Sequence, residues 1–340
     1  MERGQVVQLD RGYPLVAVGD GAPVRCEHAT ALMKAGDLRA TVGDRVWVSR
    51  PADHDNAIIE RIDPRSSSFV RRDPAERTVP QVLAANFTRV IVVEPAVQVN
   101  ERRLERELVL AHQTGVAVSV LLTKADLLSG PDEVRRLVER VSALAGPEVE
   151  VRAFSVRDAA GAQAVRSWFA ADELCVLVGK SGVGKSSLVN ALAGRQVMET
   201  GAVREADGKG RHTTVSRAIV QLPGAGRVID MPGVRGLGLW DALEGIEAAF
   251  PDVASLARAC RFRDCAHEGE PGCAIEAALA EGRVAPERVA SYRGLLAEVR
   301  ETDRRREEAR RLRGEKSSDQ QRARGAASSG RARYNGRRTR

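Results

Sequence analysis

The segment from Cys175 to Ser187 constrains this chain more than any other, because three patterns follow one another in it. Cys175 to Val178 is an apolar run, which is typical of a buried parallel strand. Gly179 to Ser186 fits the pattern G-x-x-x-x-G-K-S, and an amphipathic helical pattern starts at Ser187. Strand, glycine loop and helix N-terminus together make a phosphate-binding loop, in which backbone N–H groups and the helix dipole face the phosphate. The segment therefore predicts a nucleoside triphosphate site rather than a simple glycine turn.

Two side chains of this loop have separate expected roles. Lys185 would contact the β- and γ-phosphates, and the Ser186 hydroxyl would bind Mg²⁺. The backbone around them would enclose the phosphates. The residues predicted to bind the triphosphate are Gly179, Lys180, Ser181, Gly182, Val183, Gly184, Lys185, Ser186 and Ser187.

Charge and cysteine content limit the classes of protein to which the chain can belong. The formal net charge is +7 over 340 residues, but residues 301–340 carry 14 Lys/Arg against 6 Asp/Glu, which leaves the rest near neutral. We therefore expect a basic, disordered tail on a globular body of two or three domains. No apolar run is as long as a membrane span, and the cysteine pattern is typical of a reducing compartment. The prediction is a cytoplasmic monomer that does not enter membranes.

The apolar pattern divides the body into three parts. Residues 1–75 contain short alternating runs, which predict a small β-barrel such as an OB-fold; such a barrel can bind nucleic acid or be purely structural. Residues 80–245 alternate strand and helix patterns, which predicts a doubly wound α/β sheet with ligand loops at the carboxyl ends of its strands. Residues 246–300 have helical patterns, and residues 301–340 form the tail.

Two loops that follow predicted strands indicate which base is bound. The carboxylate of Asp126, in the motif T-K-x-D, can accept hydrogen bonds from N1–H and the exocyclic amine of guanine. If buried, it would reject adenine, which leaves it unpaired. A helix-capping Asp is the alternative interpretation of this motif alone. In the second loop the backbone N–H of Val156 could donate to the guanine carbonyl. The predicted base contacts are Thr123, Lys124, Ala125, Asp126, Ser155 and Val156.

A third motif follows the phosphate loop along the chain. Asp230 and Gly233 form D-x-x-G at the end of a predicted strand. We expect Asp230 to hold Mg²⁺ through water and the Gly233 N–H to contact the γ-phosphate. The polar stretch from Gly201 to Thr214 is expected to be a mobile loop, in which Thr214 closes over Mg²⁺.

Three cysteines and one histidine lie close together near the end of the body. Their spacing is Cys260-(x4)-Cys265-x-His267-(x5)-Cys273. A shell of three thiolates and one imidazole is typical of a structural, tetrahedral Zn²⁺ site with no open position for catalysis. Unlinked buried cysteines are the alternative. We predict one Zn²⁺ bound by these four side chains.

The order of the motifs is unusual. In ordinary GTPases the phosphate loop comes first and the base motifs come last, whereas here the motif at 123–126 and Ser155 precede the loop at 179–187, and D-x-x-G follows. This order is a circular permutation. Together with the leading barrel and the trailing Cys/His cluster, it resembles the bacterial RsgA/YjeQ family of ribosome small-subunit-biogenesis GTPases, over about residues 1–300.

The resemblance implies a Mg²⁺-dependent GTPase that converts GTP to GDP and phosphate. It also implies binding to the 30S ribosomal subunit and its 16S rRNA, a role in late maturation of that subunit, and turnover stimulated by the ribosome. Two other functions stay open on the residues alone. An RNA-bound scaffold would seldom hydrolyse its nucleotide, even on 30S subunits, and a P-loop ATPase would bind ATP in competition with GTP.

Three positions depart from common GTPase patterns. Thr123 stands where the family usually has Asn, and we expect weaker bracing of the phosphate loop from it. Met231 replaces a usual Thr and is expected to make no ligand contact. Val234 follows D-x-x-G where many GTPases have Gln, and its side chain can neither position water nor stabilise charge. The catalytic role is therefore predicted for His212, two residues before Thr214, and the family resemblance favours this assignment over a plain surface histidine.

Overall fold

The structure is a computed structural model of the chain, and it describes residues 1–10, 12–34, 39–71, 81–157, 159–198, 217–231, 239, 242–305, 307, 308 and 311. Most of the basic tail lies outside these ranges, so its expected disorder stays a prediction.

The N-terminal part is a closed five-stranded barrel, as the alternating runs predict. Its strands are β1 (Glu2–Asp10), β2 (Tyr13–Ala17), β3 (Val24–His28), β4 (Arg45–Ser49) and β5 (Ala57–Ile62), and a short helix α1 (Thr30–Lys34) follows β3. Their order around the barrel is β1-β2-β3-β5-β4, with β3 and β5 parallel and β1 closing antiparallel on β4. This is the five-stranded architecture of an OB-fold.

One apolar run of the barrel contains a turn. Val42 to Val48 is one of the alternating runs of residues 1–75, but β4 begins only at Arg45. The carboxylate of Asp44 accepts a hydrogen bond from the Thr41 backbone N–H at 2.8 Å and is completely buried against Arg65. This local bond competes with the strand ladder and turns the chain.

A two-stranded ribbon connects the barrel to the next part of the chain. It consists of β6 (Ser68–Arg71) and β7 (Gln81–Ala85), paired antiparallel. Gly43, in the barrel turn, packs against β7 so closely that a Cβ there would lie 2.0 Å from the Ala85 carbonyl oxygen. Its φ of +94° also favours glycine, so the barrel and the ribbon meet without space for a side chain.

The central part is a six-stranded sheet in the order β10-β9-β8-β11-β13-β12. Its strands are β8 (Arg89–Pro95), β9 (Ala117–Thr123), β10 (Glu150–Ala153), β11 (Leu174–Val178), β12 (Ile219–Gln221) and β13 (Arg227–Asp230). Four neighbouring pairs of this sheet are parallel: β10 with β9, β9 with β8, β8 with β11, and β11 with β13. The edge strand β12 runs antiparallel to β13. The loops predicted to bind nucleotide therefore follow the carboxyl ends of four strands, β9, β10, β11 and β13.

Helices cover both faces of this sheet. They are α2 (Glu101–His112), α3 (Pro131–Ala145), α4 (Ala159–Arg166) and α5 (Lys185–Ala193). Alternate strand residues face opposite sides, so that Val92 and Ile91 belong to different core clusters. One cluster contains residues of α2 and α3, and the other contains residues of α5, which is the doubly wound arrangement predicted.

The C-terminal part is helical and packs on the first of these clusters. Its helices are α6 (Leu243–Ala249), α7 (Pro251–Arg258), α8 (Ala274–Ala280) and a fourth, α9, over residues 286–305. Phe250 packs edge to face on Tyr292 at 5.6 Å between ring centroids. Helix α6 lies against α2, so the C-terminal part contacts the helix that follows the central strand β8. Among the helices of the described residues, none combines the length and the apolar character needed to cross a lipid bilayer.

Candidate nucleotide site and metal centre

The glycine loop joins β11 to α5, as the sequence predicts, and its conformation requires glycine. Gly179 has φ of +152°, and a Cβ there would lie 2.4 Å from the Val93 carbonyl oxygen on the neighbouring strand. Gly184 has φ of +107° and immediately precedes the first residue of α5. The loop therefore passes tightly over the end of the sheet and presents a helix N-terminus, the geometry that binds phosphate.

The Lys185 side chain lies under this loop. Its ammonium donates to the Gly179 carbonyl at 2.6 Å and to the Lys180 carbonyl at 3.1 Å, and the residue is 6 % exposed. The ammonium is thus held at the inner edge of the loop, where it can turn to phosphate oxygens without a large movement of the chain.

The two base loops are joined to each other. The Ser155 hydroxyl donates to Oδ1 of Asp126 at 2.6 Å, and the Ala125 N–H donates to the Phe154 carbonyl at 3.2 Å. The Ser155 hydrogen bond lowers the pKa of Asp126, and a backbone N–H bond and then the charge of Arg157 lower it further. Asp126 is therefore an ionised acceptor at neutral pH, as recognition of the guanine N1–H and amine requires.

The carboxylate of Asp126 is partly exposed in the protein alone. Its side chain is 23 % exposed, because the T-K-x-D loop lies at the surface end of β9. A bound base would itself have to cover the carboxylate and supply the desolvation on which discrimination depends.

The base loop also braces the phosphate loop. The Thr123 hydroxyl lies within hydrogen-bond distance of the carbonyl oxygens of Val183 and Glu94, and the Lys124 ammonium donates to the Gly182 carbonyl at 3.0 Å. A hydroxyl has one proton, so Thr123 can donate to only one carbonyl at a time, whereas an Asn amide has two donors. This geometry agrees with the expectation of weaker bracing.

Two of the predicted Mg²⁺ ligands lie beside the phosphate loop. Ser186 is in the first turn of α5, and Asp230 ends β13, where it pairs in register with Leu177 of the phosphate-loop strand. Asp230 is 5 % exposed. A hydroxyl and a carboxylate oxygen are the donor types that Mg²⁺ takes, so the residues present fit the ion. Met231 is 2 % exposed and belongs to the apolar core, in agreement with its having no expected ligand role.

A buried charge cluster beneath the loop was missed from the sequence. Glu94, fully buried at the end of β8, accepts a hydrogen bond from Nε of Arg103 at 2.7 Å and a second, shorter one from the same guanidinium. Glu107, one helical turn after Arg103 on α2, is 7 % exposed. The sequence does contain a signal for this cluster, because Arg103 and Glu107 are four positions apart on α2 and adjoin the buried Leu104 and Leu108.

The four predicted zinc ligands come together between α7 and α8. Their ligand atoms all lie within 4.8 Å of one another. The Cys260 sulfur is 3.5 Å from Nδ1 of His267 and 4.0 Å from the Cys273 sulfur. A tetrahedral Zn²⁺ site separates its ligand atoms by about 3.3–3.8 Å, so the cluster fits the ion after a small contraction.

The loop that carries these ligands is held by backbone contacts. Both carboxylate oxygens of Glu270 accept N–H bonds, from Ala266 and Glu268 at 2.7 Å each. The backbone N–H of Glu270 itself, followed by those two bonds, lowers the pKa of Glu270 to about 2. Burial, with the neighbouring thiols, raises the pKa of Cys265 to about 12, so a cation is needed to hold the thiolate.

His212, Thr214 and Gly233 lie outside the described residues. Their predicted positions near the γ-phosphate and Mg²⁺ therefore stay predictions.

Comparisons with known proteins agree with these features. The chain is 41 % identical over 296 residues to the small ribosomal subunit biogenesis GTPase RsgA of Streptomyces coelicolor. The alignment covers 87 % of this chain and 80 % of that protein. The relative of the same name in Xanthomonas axonopodis pv. citri is 41 % identical over 299 residues, with the same coverage. The sequence profile of the RsgA GTPase family matches residues 62–240. This chain belongs to the RsgA GTPase family.

Solved structures show that the fold is shared. Thermotoga maritima YjeQ superposes with a TM-score of 0.64 at 24 % identity, over 88 % of this chain and 98 % of that one. YloQ, described as a circularly permuted GTPase, superposes with a TM-score of 0.62 at 22 % identity, over 88 % and 96 %. As a member of the RsgA GTPase family, the chain is a GTP hydrolase with a permuted GTPase domain, and its Cys₃His cluster fits a structural zinc.

Proposed function

We propose that this RsgA-family GTPase hydrolyses GTP to GDP and phosphate during late maturation of the 30S ribosomal subunit. The relatives described above are named as small ribosomal subunit biogenesis GTPases, which supports this process. The match of the family profile to the central part of the chain supports the reaction.

The single observation that carries the choice of nucleotide is the pair Ser155 and Asp126. The Ser155 hydroxyl holds one carboxylate oxygen at 2.6 Å and keeps Asp126 ionised, beside a phosphate loop that Lys124 contacts through Gly182. Base and phosphate sites are thereby fixed relative to each other. An ionised acceptor in a loop that contacts the phosphate loop supports guanine over adenine as the bound base.

Each part of the site then has a role. Lys185 turns from its loop carbonyls to the β- and γ-phosphates, and the N–H groups from Gly179 to Ser187 surround them. Ser186, Thr214 and Asp230 would hold Mg²⁺, which supplies electrostatic stabilisation of charge on the phosphates. The Val156 N–H would donate to the guanine carbonyl. The Gly233 N–H would contact the γ-phosphate.

The catalytic role falls to His212. Val234 offers no polar atom, and Thr214 closing on the phosphates would bring His212 near the attacking water. An imidazole there would orient the water, or offset the developing charge when protonated. Docking on the ribosome would order this segment and stimulate turnover.

The partners follow from charge and connectivity. The barrel (1–75) and the basic tail (301–340) would contact 16S rRNA, since 14 Lys/Arg in the tail oppose a polyanion's charge. The zinc module (246–300) packs on the GTPase domain (80–245) through α6 and α2, which gives the nucleotide state a route to a second surface. The protein would act as a cytoplasmic monomer.

Co-sedimentation with purified 30S subunits tests the proposal. We expect retention to be strong with a non-hydrolysable GTP analogue and weak with GDP, which lacks the γ-phosphate, or with an ATP analogue, which lacks the guanine base. The Asp126→Asn protein is the matched control, because its retention should require a xanthosine triphosphate analogue. Equal retention with every nucleotide would instead support an RNA-bound scaffold. Retention with the ATP analogue that equals retention with the GTP analogue, with GDP remaining weak, would support an ATPase.

A further inference from the structure

A cavity of about 360 Å³ lies between the barrel and the central sheet. Side chains of both parts line it, among them Arg3, Gln5 and Arg45 of the barrel and Asp172, Leu174 and Arg227 of the GTPase domain. Leu174 and Arg227 are the first residues of β11 and β13 and pair in register. The cavity is therefore at the amino edge of the sheet, opposite the edge that carries the nucleotide loops, and neither the nucleotide site nor the zinc cluster includes it.

The Arg227 guanidinium is held in place by Gln5. Nη1 of Arg227 donates to Oε1 of Gln5 at 2.5 Å, and Nε2 of Gln5 donates to the Gly43 carbonyl at 3.2 Å. Both ends of the amide are thus bonded, so that its oxygen stays turned towards Arg227. A guanidinium has five N–H donors, and no carboxylate of the described residues pairs with this half-buried one. Donors of Arg227 therefore remain for an anionic ligand.

Arg45 is the cross-strand neighbour of Gln5. The two residues pair in register between β1 and β4, so their side chains leave the same face of the barrel with Cβ atoms about 5 Å apart. Arg45 is exposed, and it forms no ion pair within the part of the chain that the structure describes. Two guanidinium groups that have no carboxylate partner there thus have one neutral amide as their common neighbour. An anion that contacts both would offset their mutual repulsion.

The other charges around the cavity leave an excess of positive charge. Arg3 donates to Oδ2 of Asp63 at 3.0 Å, so Arg3 already has its counter-charge. Asp172 is exposed and pairs with no cation among the described residues. Its single charge offsets only part of the charge of the two guanidinium groups without partners.

We propose that this cavity binds a phosphate group, with Arg45 and Arg227 as the donors and Gln5 as the residue that positions Arg227. A guanidinium presents parallel N–H groups that match two oxygens of one phosphate, and two guanidinium groups can together contact three. The cavity opens to solvent at the exposed side chains of Arg45 and Thr88. The phosphate can therefore belong to a small molecule or to the backbone of an RNA strand, and in both cases it would link the barrel to the GTPase domain.

This site is distinct from the nucleotide site. Arg227 begins β13 and Asp230 ends it, so the proposed phosphate donor and the predicted Mg²⁺ ligand are separated by three residues of strand, or about 10 Å. Because the phosphate loop also binds phosphate, it must be filled before the second site is measured.

Titration of the full-length protein, saturated with Mg²⁺ and a non-hydrolysable GTP analogue, tests the inference. One probe is inorganic phosphate, measured by calorimetry, and the other is a short fluorescent oligouridine, measured by anisotropy at several salt concentrations. Arg45→Gln should weaken binding of the phosphate-bearing ligand by about tenfold, since it removes a charged donor. If that ligand is RNA, the slope of log affinity against log salt should also become shallower by about 0.7, the amount for one phosphate contact on a single strand.

Two variants control for overall charge. Arg135→Gln removes the same charge from an exposed position on α3, away from the cavity, and should bind both probes as the wild type does. Asp172→Asn removes the one unpaired carboxylate of the cavity and should strengthen binding several-fold. Because Arg45 is exposed and Arg135 is on the surface, both Arg→Gln proteins are expected to unfold at the wild-type temperature.

The two probes identify the source of the phosphate. Weaker binding of inorganic phosphate by Arg45→Gln supports a site for a small phosphate-bearing molecule, and weaker binding of the oligouridine alone supports a site for an RNA backbone. Equal affinities of wild type, Arg45→Gln and Arg135→Gln for both probes would overturn the inference, as would wild-type protein that binds neither probe. Either result would leave the proposed nucleotide site untouched, because none of these residues contributes to it.

Discussion

The Lys124 ammonium donates to the Gly182 carbonyl at 3.0 Å, across 58 positions of sequence. The preceding residue, Thr123, contacts the Val183 carbonyl in the same loop through its hydroxyl. Two adjacent residues of the base motif thus hold two adjacent residues of the phosphate loop. Along the chain these two segments are separated by α3, β10, α4 and β11, so the contacts link loops that lie far apart in the sequence.

Removing the Thr123 hydroxyl should loosen the phosphate loop. Thr123→Val keeps the shape but leaves buried carbonyls without their donor, so the free energy of unfolding should fall by about 1–2 kcal/mol and GDP affinity several-fold. Thr123→Ser, which keeps the hydroxyl, should stay close to wild type. Thr123→Asn should bind GDP at least as tightly as wild type, since its amide can reach both carbonyls. Urea unfolding and calorimetry measure both effects, and a Thr123→Val protein with unchanged affinity would remove the bracing role.

The carboxylate of Asp126 should decide the base. Asp126→Asn replaces an acceptor with an amide donor, which suits the extra carbonyl of xanthine, so affinity should fall for GTP and rise for xanthosine triphosphate. Competition binding with both nucleotides measures the exchange. A variant that loses GTP without gaining xanthosine triphosphate would indicate structural damage, and wild-type protein that binds ATP as tightly as GTP would refute the guanine assignment.

The sequence predicted the parts of the site that depend on local pattern. The glycine loop, the T-K-x-D turn and the Cys/His spacing each require particular residue types at fixed intervals, so they are readable without the fold. The hydrogen bond from Lys124 to Gly182 and the pair Glu94–Arg103 depend on which strands become neighbours, and no local interval encodes that. The turn at Asp44 was missed for a related reason, because Arg65, which neutralises it, comes 21 residues later.

The zinc cluster should hold one ion per chain. Elemental analysis of protein purified without chelator is expected to find one Zn²⁺, and Cys265→Ser should lower that content. Removal of the metal should increase amide exchange between α7 and α8, where the ligands lie, while GDP still binds because the phosphate loop belongs to another part of the chain. Protein that contains no zinc would contradict the assignment.

Arg288 should contribute more to stability than any surface ion pair of the C-terminal part. It donates to Glu105 of α2 at 2.7 Å and to Asp252 of α7 at 2.9 Å, and its side chain is 10 % exposed. Arg288→Ala leaves the Glu105 charge buried and unpaired, so unfolding free energy should fall by about 3–5 kcal/mol.

Two further variants control the Arg288 measurement. Replacing both partners together, as Glu105→Leu with Arg288→Met, should recover much of the loss because no buried charge remains. Arg258→Ala breaks an exposed pair with Glu247 and should cost less than about 1 kcal/mol. Equal losses for Arg258→Ala and Arg288→Ala in urea unfolding would show that burial does not set the cost.

The central claim is a guanine-specific GTPase that the small ribosomal subunit activates. It is tested most directly by the rate of phosphate release from GTP and from ATP, with and without purified 30S subunits, for the wild type and His212→Ala. We predict slow hydrolysis of GTP by the free wild-type protein, at least tenfold stimulation by 30S subunits, no comparable hydrolysis of ATP, and loss of most of the stimulation in His212→Ala with GTP affinity within a few-fold of wild type. Full stimulation in His212→Ala would move the positioning of water to another group, and a wild-type rate that 30S subunits leave unchanged would contradict the account.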